Sequence, residues 1–225
     1  MTQQHNEILL TEDGSHTIKN VVLDECYHSS HGARQESEWV FVNAGLRECT
    51  KHEIAILEIG FGTGLNALLA MDYAQKNCKK ITYTSFELYP LPYATAAQLN
   101  FCHGDLQHLQ SEFDIMHQCP WNEWQAISAN FSLLKMHADF SISALTAQYD
   151  VVFFDAFSPD KQPELWSDAI FAQLYLACNT DAILTTYCAK GYVRRAMQKA
   201  GFVVERIPGP PGKREMLRAK KIIQQ

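Results

Sequence analysis

The chain has 225 residues, 47% of them hydrophobic and 20% charged, the profile of one well-packed globular α/β domain and not of a disordered segment. No apolar run approaches the roughly 18–20 residues of a membrane span, and residues 1–7 lack the basic and apolar regions of a signal peptide, so the expected compartment is the cytoplasm. The net charge of −6 argues against general nucleic-acid binding, although the charge is unevenly distributed along the chain.

Residues 1–50 do not read as part of a doubly wound sheet. Short strands are expected at 8–11, 16–19 and 21–23, with Asp13-Gly14 as a hairpin turn. A polar loop starts at Tyr27, and a helix is expected over 36–46, where Trp39, Val40, Val42 and Leu46 are apolar. This region is read as an N-terminal extension covering the site of the remainder, 51–225. There the pattern alternates. Strands are expected at 54–59, 81–87, 131–137, 150–154, 181–187 and 202–207, with a last one over 213–220. Helices are expected at 65–76, 93–99, 106–116, 164–177 and 190–200, and a short one at 142–145; Pro120 opens a loop of undefined shape. Strands alternating with helices imply a mostly parallel sheet covered on both faces, with ligands bound beyond the carboxyl ends of its strands.

The most informative stretch is I-A-I-L-E-I-G-F-G-T-G-L-N, residues 54–66. An apolar run ends in Glu58, and Gly60, Gly62 and Gly64 follow on alternate positions before Asn66 and a helix. Glycines there permit positive φ and a close ligand approach, and the helix start favours an anionic or polar ligand. Gly62-x-Gly64-x-x-Ala67 fits a dinucleotide fingerprint, with Glu87 at a spacing suited to a ribose. There is no Walker lysine. The acid-x-Gly-x-Gly-x-Gly pattern resembles the first motif of class I S-adenosylmethionine-dependent methyltransferases, and tilts the choice towards that cofactor.

Glu87, Asp139 and Asp155 also fall at predicted strand ends. Glu87 could accept hydrogen bonds from two ribose hydroxyls, or cap a helix. Asp139 could read an adenine amine, or cap the next helix. Asp155 could accept a proton or hold an amine, or cap its own proline-rich loop. The seven cysteines and nine histidines show no ligand-like spacing, so reduced thiols and no metal are expected. From 187 to 225 there are ten basic residues, among them Lys190, Arg194, Arg195, Lys213 and Arg214, against only Glu205 and Glu215. That +8 segment suits phosphate contacts, or is simply a solvated surface.

Asp155-Ala-Phe-Ser-Pro-x-Lys-x-Pro-Glu-Leu-Trp166 resembles the signature of the MnmC-like (MnmD) tRNA methyltransferases. Tyr27-x-Ser29-x-x-Gly32-Ala33-x-x-Glu36, the 57–66 turn, Phe86-Glu87, Thr186-Tyr-Cys-Ala-Lys-Gly191, Val193-Arg-Arg195 and Pro208-Gly-Pro-Pro-Gly-Lys-Arg-Glu-Met216 agree with it. The resemblance implies a class I methyltransferase fold and methylation of the amine of 5-aminomethyl-(2-thio)uridine at the tRNA wobble position. S-adenosylmethionine would be held by Glu58, Gly60, Gly62, Gly64, Asn66, Glu87 and Asp139, with Asp155 catalytic. Tyr27 and Ser29 would line the pocket, and the basic segment would meet the anticodon loop. Bifunctional members carry an FAD-dependent oxidase as well; at this length the chain resembles the stand-alone form, so FAD is expected to be absent. A monomer is one expectation, and the oligomeric state stays open. A non-catalytic RNA- or nucleotide-binding protein and an NAD-dependent oxidoreductase remain the alternatives.

Overall fold

The computed structural model describes residues 6–222. Two sheets form. The smaller is antiparallel, ordered β1 (Asn6–Leu10), β2 (His16–Asn20), β3 (Glu25–Cys26). The larger takes its strands from β4 (Glu53–Ile59), β5 (Lys80–Glu87), β6 (Trp124–Ser128), β7 (Phe131–His137), β8 (Tyr149–Phe154), β9 (Cys178–Thr186), β10 (Val203–Pro208) and β11 (Glu215–Lys220). Their order is β10-β11-β9-β8-β4-β5-β7-β6. The five central strands β9, β8, β4, β5 and β7 are parallel, and the three outer ones run antiparallel to their neighbours.

The central strands need both faces covered, which is why they read as continuous apolar runs: all six residues of β8 are buried. One core, with Phe41, Leu68, Met71 and Phe113, lies on one side of the sheet. The other, with Phe154, Trp166, Phe171, Leu174 and Met197, lies on the opposite side. The helices are α1 (Ala33–Ser37), α2 (Leu65–Lys76), α3 (Tyr93–Ala96), α4 (Gln110–Gln118), α5 (Asp168–Ala177) and α6 (Gly191–Ala200). Among the described residues no helix is long and apolar enough to cross a membrane. Strand order reverses at β4: β5 lies on one side and β8 on the other. The crevice beyond their carboxyl ends is therefore the switch point where a ligand is expected.

Several elements differ from expectation. Residues 21–23 are a turn, because Asn20 Oδ1 accepts from the N–H groups of Val22 and Leu23 and ends β2. The expected helix at 36–46 starts earlier, at Ala33, and widens into a π-helix, Glu38–Asn43. The loop after Pro120 contains β6, reached through Asn122 in a left-handed conformation whose N–H donates to Lys135 O. Residues 140–142 form a 3-10 turn and no helix follows. The helix expected at 164–177 breaks at Ser167, whose hydroxyl caps α5. That expected at 106–116 begins as a 3-10 helix, Gly104–Leu109, before α4.

Candidate active site

A cavity of about 370 Å³ opens at the switch point. The glycine turn after β4 forms its floor. Gly60 has φ 95°, and a Cβ there would lie 2.7 Å from the backbone oxygen of Asp155. A Cβ on Gly62 would lie 2.9 Å from the Tyr27 ring. Gly60 thus lets the two central loops meet, and Gly62 leaves room for the residue above it. Two histidines, His28 buried and His117 half-buried, grip the turn. His28 Nε2 lies 2.7 Å from Thr63 Oγ1, and His117 Nε2 lies 3.1 Å from Thr63 O. Burial lowers the pKa of each to about 4, so both rings are neutral braces near neutral pH.

Glu87 ends β5 at the cavity rim. Its carboxylate accepts from Gly62 N–H at 2.9 Å and from Tyr89 N–H at 2.8 Å. Burial raises its pKa, and those backbone donors pull the other way. Asp139 also lines the cavity, and its Oδ1 accepts from the Ser141 N–H and hydroxyl, so it caps the 3-10 turn.

Asp155 follows β8 and lines the cavity. Its Oδ2 accepts from Asn66 Nδ2 at 2.7 Å. Burial raises its pKa well above the carboxylate range, and the negative charges of Glu36 and Glu58 add to the effect. A carboxyl group held in this way is a stronger base than a solvated one. Glu58, Gly64 and Asn66 differ in placement. Asn66 lines the cavity, whereas Glu58 and Gly64 do not. Glu58 is fully buried beneath the turn, receives the Ser85 hydroxyl at 2.6 Å, and has its pKa pushed up to about 8 by burial. Gly64, with φ 74°, starts α2 and backs onto His117.

The N-terminal segment supplies one wall. Tyr27 packs edge-on against Phe157 with centroids 5.0 Å apart, and burial raises its pKa. Ser29 N–H donates to Glu36 Oε2 at 2.7 Å. Glu25 accepts from the Ser158 N–H and hydroxyl and ties this wall to the loop after Asp155. His28, Glu25, Glu36, Thr63 and Tyr187 were not singled out from sequence as site residues. Glu36, Thr63 and Tyr187 carried a signal, as members of the matched segments.

The basic segment is less open than its count suggests. Lys190 pairs with Asp160, Lys199 with Asp168, Arg206 with Glu215, Lys213 with Glu36, and Arg218 and Lys220 with Glu48. Among the described residues Arg194, Arg195 and Arg214 make no ion pair. Arg195 and Arg214 are exposed. A groove lined by Lys190, Lys213, Arg214, Ser158 and Tyr187 adjoins the cavity and shares Lys213 and Tyr187 with it. Among the described residues no cluster of three His, Cys, Asp or Glu could hold a metal ion.

A family model described as S-adenosyl-L-methionine-dependent methyltransferase matches residues 102–222. The tRNA 5-methylaminomethyl-2-thiouridine biosynthesis bifunctional protein MnmC of Aromatoleum aromaticum is 33% identical over 227 residues, 95% of this chain and 35% of that protein. The chain thus spans about a third of the length of the curated relatives it matches. The crystal structure of MnmC2 from Aquifex aeolicus superposes with a TM-score of 0.78 at 26% identity, covering 97% of this chain and 70% of that one. Spermidine synthase from Thermotoga maritima shares the fold, with a TM-score of 0.57 at 14% identity over 93% and 70% of the two chains. These matches decide between the two ligand readings of the glycine turn, and the sheet order and its neighbours are those of a class I methyltransferase. The chain belongs to the S-adenosyl-L-methionine-dependent methyltransferase family.

Proposed function

We propose that this protein methylates the primary amine of 5-aminomethyl-(2-thio)uridine at the wobble position of tRNA, giving 5-methylaminomethyl-(2-thio)uridine. The observation that carries the reading is Asp155. It is a half-buried carboxyl lining the cavity, oriented by one hydrogen bond from Asn66 and with its pKa raised, in a chain matched over 95% of its length by proteins named for 5-methylaminomethyl-2-thiouridine biosynthesis.

The residues fit the cofactor. Gly60 and Gly62 line the cavity with backbone that carries no side chain. Glu87 presents a carboxylate at the rim for the ribose hydroxyls, and Asn66 Oδ1 is a buried acceptor with no partner of its own. When bound, S-adenosyl-L-methionine supplies an electrophilic methyl group on a sulfonium. The task left to the chain is to deliver a neutral amine, because an alkylammonium has no lone pair with which to attack. Asp155 accepts that proton, directly or through water, and its raised pKa brings it closer to the donor's. The transfer as proposed requires neither FAD nor a metal ion.

The segment 1–50 acts in this reading as a cover, lining the cavity with Tyr27, His28, Ser29 and Glu36. Arg194, Arg195 and Arg214 meet phosphates of the anticodon loop, which positions the RNA without reading its sequence. The wobble base leaves its stack to enter the cavity. The protein meets its tRNA in the cytoplasm. Mass analysis of wobble nucleosides from cells lacking the protein tests this reading: 5-aminomethyl nucleoside should accumulate, and an unchanged nucleoside profile refutes it.

A further inference from the structure

The cavity is acidic. Glu25, Glu36, Glu87, Asp139, Asp155 and Glu164 line it, and Lys213 is the one lysine or arginine that does so among the described residues. Lys213 Nζ sits 2.6 Å from Glu36 Oε1 and 4.0 Å from the centroid of the Tyr187 ring. Both partners are held in place. The other Glu36 oxygen receives the Ser29 N–H, and Glu36 is 6% exposed. The Tyr187 hydroxyl donates to Ala156 O at 2.8 Å, next to Asp155. A fixed carboxylate beside an aromatic face is a receptor for a primary ammonium group.

Lys213 itself is not fixed in the same way. It follows Pro211 and Gly212 in the connection between β10 and β11, and its stem is long and flexible. It also lines the outer groove with Lys190 and Arg214. One ammonium therefore has two places within reach, one inside the cavity and one facing the basic groove.

We propose that Glu36 and the face of Tyr187 form the receptor for the substrate's primary ammonium, and that Lys213 fills it until the substrate arrives and then turns into the groove towards a substrate phosphate. This rests on the function proposed above. The exchange replaces one ammonium by another, so Glu36 is never left as an unpaired buried charge, which would be costly. It also delivers the amine beside the carboxyl that is to take its proton: Asp155 feels the charges of both Glu36 and Lys213.

The test uses full-length protein and two ligands. One is the nucleoside 5-aminomethyluridine, which has an ammonium and no phosphate; the other is 5-hydroxymethyluridine as its neutral control. Binding is measured by calorimetry or NMR without turnover, and tRNA bearing the aminomethyl group is assayed in parallel. Glu36→Gln should weaken the amine nucleoside about ten- to a hundred-fold, the loss of one charge-assisted contact. Lys213→Met, which removes the internal competitor and keeps the stem, should tighten it, by about ten-fold on the same basis. Neither variant should alter the neutral control. For the whole tRNA, Lys213→Met should instead raise KM, because the phosphate contact is lost. Where Glu36→Gln fails to fold, Lys213→Met alone decides. Wild-type amine affinity in Lys213→Met, with normal methylation of tRNA by the unmodified protein, overturns this inference alone. An unmodified protein that does not methylate such tRNA overturns the function reading and the inference with it.

Discussion

Replacing Asp155 by asparagine removes a charge and a proton acceptor while keeping the shape. The asparagine oxygen can still accept from Asn66 Nδ2, now 2.7 Å from Asp155 Oδ2, which turns the new amide N–H groups towards the cavity where an acceptor is needed. General-base contributions are typically about 10²–10⁴-fold, or about 3–5 kcal/mol of barrier, and turnover should fall in that range. The loss should shrink as pH rises, because more of the amine is then neutral without help. Stability should move the other way from what a structural role demands. Burial raises the pKa of Asp155 in the fold above its value in the unfolded chain, so the folded state holds more protons and loses stability as pH climbs through that window. Asparagine has no charge to desolvate. The Tm of Asp155→Asn should equal or exceed wild type at pH 8, and the two should converge near the ordinary aspartate pKa of about 4. The assay is single-turnover methylation of tRNA bearing 5-aminomethyluridine, from about pH 6.5 to about 9.5, approaching a roughly lysine-like amine pKa. A rate loss independent of pH, with a lower Tm throughout, would refute the reasoning, as would wild-type turnover across the range.

The glycine turn and rim are checked by calorimetry with S-adenosyl-L-methionine. Gly62→Val, which puts a branched side chain against Tyr27, and Glu87→Ala, which removes ribose bonds of about 1.5–3 kcal/mol each, should both weaken binding; unchanged affinity in both sinks the assignment. Glu58→Gln should stabilise the cofactor-free protein at high pH. A rise in pKa from 4.5 to about 8 is about 5 kcal/mol that the ionised form costs above that value and that is absent below about pH 4.5. A stability difference that stays flat between those pH values would count against it. On the RNA face, replacing Arg194, Arg195 and Arg214 together should lower the log–log salt slope of tRNA binding by about 2, at roughly 0.7 per single-strand phosphate contact. An unchanged slope would return these arginines to the solvated surface.

What was legible in the sequence was local. The helix 65–76 and the strand 131–137 match their expected bounds to the residue, because apolar period and flanking turns decide them. The edge strand β6 was not legible. Its Trp124 is exposed, and its pairing depends on β7 and on the backbone twist at Asn122. The convergence of Glu87, Asp139 and Asp155 on one cavity followed from the rule that strand ends share a rim. The burial of Glu58 behind that rim did not, since the pattern marks a strand end without saying which way the side chain points. The open charge of the basic segment was overcounted for a further reason. Besides Glu205 and Glu215 within it, the acids that pair with it, Glu36, Glu48, Asp160 and Asp168, lie outside it in sequence, and local charge counting cannot see them.

The ties between the N-terminal segment and the rest have a consequence in time as well as space. Glu25 meets Ser158, Trp39 donates its indole N–H to Pro208 O, and Glu36 meets Lys213, at sequence separations of 133, 169 and 177 residues. The wall is synthesised first and its anchors last. At about 5–20 residues per second, the interval between Glu36 and Lys213 leaving the ribosome is roughly 10–35 s. Through most of that interval Tyr27 and Trp39 lack the residues they rest on, Phe157 and Pro208. Cavity closure is thus a late step of biogenesis, which sets the period in which the nascent chain most needs protection by chaperones.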